Sequence, residues 1–277
     1  MTKGRDMRPN TTTEHLLAAT DQRVGTSVTW LGHASVVLDL DGVRVLTDPL
    51  LRRHAGLLRR RGQVPAPGQW AGADAVLVSH LHHDHAEVGS LRLLPGVPVV
   101  APEANTRWLL RHGVPTAVGL GDDQWWTVPG TSVQVRPVPA VHCHRPMPHR
   151  PNAATGFIVR SAETTVWFAG DTSWYPQMAQ LDEMAGAPVD LALVPVGGWG
   201  PRLSGGHMGP VQAAQAMASC GARQAIPVHW GTLHAPASRS VPRGWMDRAG
   251  PAFVAACAQI APQCQPVLLA PGERVNF

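Results

Sequence analysis

From Ser27 the chain reads SVTWLGHASVVLDLDGVRVLTDPLL, short runs of valine, threonine and leucine broken by turn residues. Asp41-Gly42 between two such runs is a hairpin signal, because both residues enter left-handed backbone at little cost. Antiparallel strands are therefore predicted to open the domain, the third ending at Leu46-Thr47-Asp48-Pro49. The apolar run at 75–78 predicts a buried strand, which the chain leaves through Ser79 and His80. Beyond it the pattern predicts a short helix over 88–94, a strand over 97–100 and a helix over 105–112 closed by Gly113. Strands follow at 132–138, 156–159, 165–169, 189–196 and 225–228, with helices at 175–184, 211–219 and 245–260 and a last strand at 267–269. Residues 53–72 are rich in Arg, Gly and Pro, show no period and are predicted as one long loop. This alternation of elements is α/β in kind.

Composition narrows the class. The chain has 277 residues, 44% of them hydrophobic, which is ample for one packed domain over 25–277. No stretch approaches the ~20 consecutive apolar residues of a membrane span. Residues 1–24 contain no apolar core of a secretory signal and are expected to form a flexible polar arm. Four cysteines, Cys143, Cys220, Cys257 and Cys264, without any CxxC spacing fit reduced thiols and a cytoplasmic location. The net charge of +4 comes almost wholly from arginine, with Lys3 the only lysine, a bias that carries no nucleic-acid footprint of its own. One local cluster, Arg52, Arg53, Arg59, Arg60 and Arg61, is either a solvated arm or a basic lip that draws in an anionic small-molecule substrate.

Candidate chemistry concentrates in AVLVSHLHHDHAEV, where His80, His82, Asp84 and His85 follow the buried strand within six positions. Neutral imidazoles and an ionised carboxylate on one tight loop are donors for a transition metal. Four donors can serve two ions but cannot complete both shells, so further donors must come from later in the chain. The spacing His80-x-His82-x-Asp84-His85 resembles the signature of the metallo-β-lactamase superfamily, and FAGDT at 168–172 resembles its second motif. What the resemblance implies is an α/β, four-layered αββα sandwich with two mixed sheets face to face, helices outside and metals at one sheet edge. It implies that His80, His82 and His142 hold one ion, that Asp84, His85 and His229 hold the other, and that Asp171 joins them. Two divalent ions are expected, Zn²⁺ first, in shells that also accept Mn²⁺ or Fe²⁺. Asp48 is then either a residue behind the site that orients a ligand histidine or an ordinary strand-end turn.

The implied reaction is hydrolysis by a hydroxide shared between the ions, with Asp84 and Asp171 in the catalytic centre. The segments GHASVVL, LTDPL, FAGDTSW, PRLSGGHMGP and PVHWGT are most similar to the branch that holds N-acyl-phosphatidylethanolamine-hydrolysing phospholipase D and the ascorbate-6-phosphate lactonases. That likeness implies a phosphodiester or phosphorylated small molecule, with Arg145, Arg202 and His207 toward substrate and His207 also catalytic. Lactone or β-lactam-like amide hydrolysis is the alternative chemistry. A non-catalytic, metal-stabilised binding protein is the alternative of another class, and a missing donor would favour it. Residues 143–170 leave no room for the inserted domain of the superfamily's nucleases.

Overall fold

The computed structural model describes residues 25–142, 150–151 and 153–277. In chain order these form β1 (Thr26–Gly32), β2 (Ser35–Leu40), β3 (Val43–Thr47), β4 (His54–Ala55), β5 (Leu58–Arg60), α1 (Pro67–Trp70), β6 (Ala75–Leu77), α2 (Val88–Leu91) and β7 (Val99–Pro102). There follow α3 (Glu103–Arg111), β8 (Ala117–Leu120), β9 (Trp126–Thr127), β10 (Gln134–Pro139), β11 (Thr155–Arg160), β12 (Thr165–Phe168) and α4 (Leu181–Ala185). The chain closes with β13 (Leu191–Pro195), α5 (Pro210–Cys220), β14 (Gln224–Val228), β15 (Leu233–His234), α6 (Ala249–Ile260), β16 (Gln265–Pro266) and β17 (Arg274–Asn276). The expected arm at 1–24 and its boundary lie outside the described residues.

One seven-stranded sheet has the order β17-β1-β2-β3-β6-β7-β8, the other β16-β14-β13-β12-β11-β10-β9. Both are mixed. β1, β2 and β3 pair antiparallel as the Asp41-Gly42 hairpin requires, whereas β3, β6, β7 and β8 run parallel. The second sheet has the same division, antiparallel from β9 to β12 and parallel from β12 through β13 and β14 to β16.

The central strands read as nearly continuous apolar runs because they are covered on both faces. In β12, Val166 and Phe168 point into the layer between the sheets, and Trp167 points to the helices outside. In β13, Leu191 and Leu193 point inward while Ala192 and Val194 point outward. Trp30, Leu38, Phe157, Phe168 and Ile226 fill the space between the sheets. Trp108 and Leu109 of α3 cover the first sheet, and Met217 of α5 with Phe253 of α6 cover the second. The result is the four-layered αββα sandwich.

Four local expectations are corrected. Residues 53–72 are not one loop: β4 and β5 make a tight hairpin, extended by β15 into a three-stranded sheet, and α1 follows. These strands are too short to show a period. Helix 175–184 divides into a 3-10 turn at Pro176–Gln180 and α4, and helix 245–260 into a 3-10 turn at Trp245–Asp247 and α6. The strand expected at 267–269 lies instead at β16 and β17, so the C-terminal segment pairs first with β14 and then crosses to β1, stapling the two sheets.

The basic lip is also corrected at two positions. Arg60 is only 2% exposed, and its guanidinium donates to the carbonyls of Leu31 and Leu50. Burial lowers its pKa to about 10. Gly32, at φ +97, is where Arg60 passes, since a Cβ there would lie 2.7 Å from a guanidinium nitrogen. Arg61 is paired with Asp247 at 2.6 Å.

Candidate metal centre

The chain delivers its chemistry at one rim of the sandwich, where strands of both sheets end. His80 follows β6, Asp48 follows β3, His142 follows β10, Asp171 follows β12 and His229 follows β14. A strand end places a side chain at a fixed point while releasing the backbone to turn. Three residues here, His33 (φ 56), Asp48 (φ 32) and His229 (φ 63), are non-glycine residues in left-handed backbone, which costs about 1–3 kcal/mol each and persists where surrounding contacts enforce it. Gly170 (φ +61) has a simpler reason: a Cβ there would fall 2.7 Å from that of Ser79 and 2.9 Å from the Thr155 carbonyl. Only glycine lets β12 close on the His80 loop and aim Asp171 at it.

Two groups of four donors result, each with ligand atoms within 4.8 Å of one another, and Asp48, His80 and His85 form a third that overlaps both. The first is His80, His82, His142 and Asp171; the second is His33, Asp84, His85 and His229. In the first, His82 Nδ1 lies 2.9 Å from His80 Nε2 and 3.0 Å from His142 Nε2. In the second, His85 Nε2 and His229 Nε2 are 3.1 Å apart, and Asp84 Oδ2 is 3.6 Å from each. Asp171 faces both groups, with Oδ2 3.1 Å from His85 Nε2 and 3.9 Å from His80 Nε2, and Oδ1 3.2 Å from His229 Nε2.

Whether a cation fits is decided by the outward nitrogens. His85 Nδ1 donates to Asp48 Oδ2 at 2.6 Å, His142 Nδ1 to the Gly206 carbonyl at 2.8 Å and His229 Nδ1 to the Gly197 carbonyl at 2.9 Å. His80 Nδ1 bonds Ser79 Oγ, which itself donates to Asp48 Oδ2 at 2.6 Å. Each outward N–H leaves a bare lone pair on the inward nitrogen of the neutral ring. The short contact between His85 Nε2 and His229 Nε2 is therefore lone pair against lone pair while both rings are neutral, which is repulsive unless a cation stands between them, and His80 Nε2 and His142 Nε2 each turn a lone pair toward His82 Nδ1. Asp171 Oδ1, buried and without a hydrogen-bond donor, needs the same partner, because the facing His229 nitrogen has no proton to give. The donor set fits divalent ions bound by nitrogen and oxygen.

The charges agree. Burial, then the neighbouring His229, lowers His33 to about 3, and burial lowers His82 to about 4. Burial and His85 hold His80 well below its ordinary value, and burial lowers His142. His85 goes the other way: burial opposes its protonation, but the carboxylates of Asp171, Asp84 and Asp48 outweigh that and raise it. Three acids surround this ring, and among the described residues no arginine pairs with any of them. Asp84 and Asp171 stay ionised against burial because the facing imidazoles hold them well below the usual carboxylate range. The group is short of positive charge.

His33 was not anticipated. It occupies the β1–β2 turn, is fully buried, and places Nε2 2.9 Å from Asp84 Oδ2. Its carbonyl accepts from Trp30 Nε1 and from the His229 amide, both at 2.9 Å, so the turn is tied to the His229 strand end. His207, expected on the substrate side, sits before α5 with Nε2 3.2 Å from Asp171 Oδ2. Its Nδ1 faces the Ser204 and Gly205 carbonyls. Burial opposes protonation of His207, but Asp171 raises its pKa overall. Arg202 is exposed at the mouth of a cavity of about 680 Å³ whose floor is His82, Asp84, His142, Asp171 and His207. Arg145 and Cys143 lie outside the described residues.

Comparison with known proteins gives a consistent picture. Residues 43–230 match the family described as "Beta-lactamase superfamily domain". The chain is 28% identical over 230 residues to "N-acyl-phosphatidylethanolamine-hydrolyzing phospholipase D 1" of Caenorhabditis elegans, covering 75% of this chain and 64% of the nematode protein. It is 30% identical over 210 residues to a "UPF0173 metal-dependent hydrolase" of Pyrococcus furiosus, covering 74% of this chain and 84% of the archaeal one. Among solved structures, a metallo hydrolase of Ignicoccus hospitalis superposes with a TM-score of 0.70 at 19% identity, over 91% of this chain and 98% of that one, a likeness of fold. No helix among the described residues is long and apolar enough to cross a membrane.

Proposed function

Since the chain belongs to the β-lactamase superfamily and is a metal-dependent hydrolase, we propose that it works with two divalent ions and cleaves a phosphodiester. In this reading His80, His82 and His142 hold one ion, Asp84, His85 and His229 hold the other, and Asp171 serves both. Zn²⁺ suits the mixed imidazole and carboxylate shells, and Mn²⁺ or Fe²⁺ would also be accepted. When bound, the pair would supply a water of lowered pKa as nucleophile and a Lewis acid for the scissile phosphoryl oxygen.

The protein's own residues do the rest. Asp48 keeps the His85 proton on Nδ1 directly and the His80 proton on Nδ1 through Ser79, so both rings offer Nε2 inward. His207, held by its Asp171 contact, can present a proton at Nε2 to the leaving-group oxygen. Arg202 at the cavity mouth supplies a positive charge for a phosphate.

The observation that carries this reading is the convergence of inward imidazole nitrogens whose outward nitrogens are already donating. The support for a phosphodiester is the activity in the name of the nematode relative, a protein of which this chain spans 64%. The test is metal content by elemental analysis, together with hydrolysis of bis(p-nitrophenyl) phosphate, a lactone and nitrocefin before and after chelation. Turnover of the phosphodiester that chelation abolishes supports the proposal. Turnover of the lactone or nitrocefin alone would transfer it to that bond type, and a single ion per chain would overturn the dinuclear part.

A further inference from the structure

The surface around the cavity mouth has an unusual make-up. On one side the β4–β5 hairpin turn carries Leu57, which is 86% exposed. On the other, the loop between β13 and α5 carries Trp199 and Leu203, 45% and 41% exposed. All three line the cavity that ends at Asp84 and Asp171. A large apolar side chain left in water at a hairpin tip loses the stabilisation that burial would give, and three around one opening form a patch rather than scattered exposure.

The charged residues of the two rim segments have one sign. Arg53 and Arg59 are exposed on the hairpin next to Leu57, and Arg202 adjoins Leu203. Among the described residues none of the three makes an ion pair. Neither 51–61 nor 197–209 contains an Asp or Glu. A partner of mixed charge, such as an ordinary protein surface, would leave these cations facing some of its own; a surface of uniformly negative headgroups over hydrocarbon matches both the apolar tips and the flanking guanidinium groups. Arginine also suits such a boundary, because its stem lies along apolar matter while its head reaches phosphate.

We propose that the face bearing the cavity mouth docks on an anionic lipid surface, with Leu57 on one rim and Trp199 and Leu203 on the other entering the interface and Arg53, Arg59 and Arg202 meeting the headgroups. The mouth then opens onto the lipid. Docking requires no turnover, so it stands or fails separately from the hydrolysis proposed above.

The test is sedimentation of the metal-loaded protein with vesicles of phosphatidylcholine alone and of phosphatidylcholine mixed with phosphatidylglycerol. Partition onto the mixed vesicles, weakened by salt and absent from phosphatidylcholine alone, is expected. Leu57→Asp combined with Leu203→Asp should reduce that partition by about tenfold or more while metal content and the thermal midpoint stay unchanged. Arg53→Glu with Arg59→Glu, which leaves the apolar rim intact, should reduce it too and flatten its salt dependence. No partition onto mixed vesicles, or equal partition by both double variants, overturns the proposal. So does a concentration-dependent dimer that the leucine variants abolish in the absence of vesicle binding, since the rim would then be a protein interface.

Discussion

The two donor groups differ in how they are held, though they share Asp171. His82 of the first group is partly open to the cavity, and the outward nitrogens of that group rest on a carbonyl and a hydroxyl. The second group is more closed, with Asp84 as its member on the cavity floor. His33, His85 and His229 are fully buried, and His85 is pinned by the carboxylate of Asp48. Each group has three histidines and one aspartate of its own, but in the second Asp48 and Asp171 also face His85 beside Asp84. An ion in the second group should be released more slowly, because its donors cannot swing away and its negative charge cannot be met by solvent. The first group should be the one that exchanges. Rigidity and charge, rather than donor count, distinguish the two.

The largest effect should come from the residue the groups share. Asp171→Ala removes a carboxylate from both, and kcat/KM for the phosphodiester should fall by about a thousandfold or more, roughly 4 kcal/mol of transition-state stabilisation. Ion stoichiometry should drop from two to one, read by elemental analysis after dialysis. Retention of two ions at full activity would break the comparison at its base.

Asp48→Asn sharpens it. Asp48 Oδ2 accepts from both Ser79 Oγ and His85 Nδ1, and an amide nitrogen in its place would oppose both donors. The His85 proton would then move to Nε2 and block the inward lone pair. Loss of such a supporting partner costs about 10–100-fold in metal affinity. It should fall chiefly on the second group, since two of the first group's three histidines do not depend on Asp48. Graded chelation followed by elemental analysis should show the slow-release ion becoming the fast one.

Much of this centre was legible in the sequence for a physical reason. His80, His82, Asp84 and His85 are close in sequence because one tight loop delivers them, and His142, Asp171 and His229 each stand where an apolar run ends. His33 was not legible by that logic. It is a lone histidine in a hairpin turn, and only the left-handed backbone of Gly32-His33 turns its ring inward. The nearest signal was Gly-His between two β-rich runs, a turn that needs no histidine. Arg60 was misread for the opposite reason: its neighbours Arg59 and Arg61 look the same, but β5 is three residues long and its alternation sends Arg60 inside. The staple formed by β16 and β17 was missed because its ladder begins at Gln265-Pro266, ahead of the apolar Val267-Leu268-Leu269, whose first amide still donates to the Ala225 carbonyl.

Acid tests the histidine-rich character of the groups in the metal-free protein. His33, lowered to about 3, and His82, lowered to about 4, stay neutral when folded but take up protons near 6.5 when unfolded. The unfolded chain therefore binds more protons between about pH 6.5 and pH 3, so stability falls as pH falls through that window and levels off above it. Each such buried ring contributes at most about 1.4 kcal/mol per pH unit there. His85, whose pKa is raised, works against this trend: its contribution is present below 6.5 and is lost as pH rises above that. Urea midpoints at pH 5 and pH 7 should show the net loss toward acid, and bound metal should move the fall to lower pH. A midpoint that rises toward pH 5 would mean that the raised ring outweighs the lowered ones.

The smallest and most discriminating change is at His33, whose role beside Asp84 is either a fourth donor or a hydrogen bond to the carboxylate. His33→Gln keeps a donor that can reach Asp84 Oδ2 but removes the imidazole. If Nε2–H only orients Asp84, the substitution should leave two ions bound and lower kcat/KM by tenfold or less, about 1.4 kcal/mol. If the ring donates a lone pair, the second ion alone should weaken and the first should be untouched. The neutral state imposed on His33 by burial fits both roles. What separates them is the tautomer: His33 Nδ1 is buried without a hydrogen-bond partner, so nothing holds a proton on it. That leaves the proton on Nε2, facing Asp84, and the expected outcome is the milder one, with both ions retained.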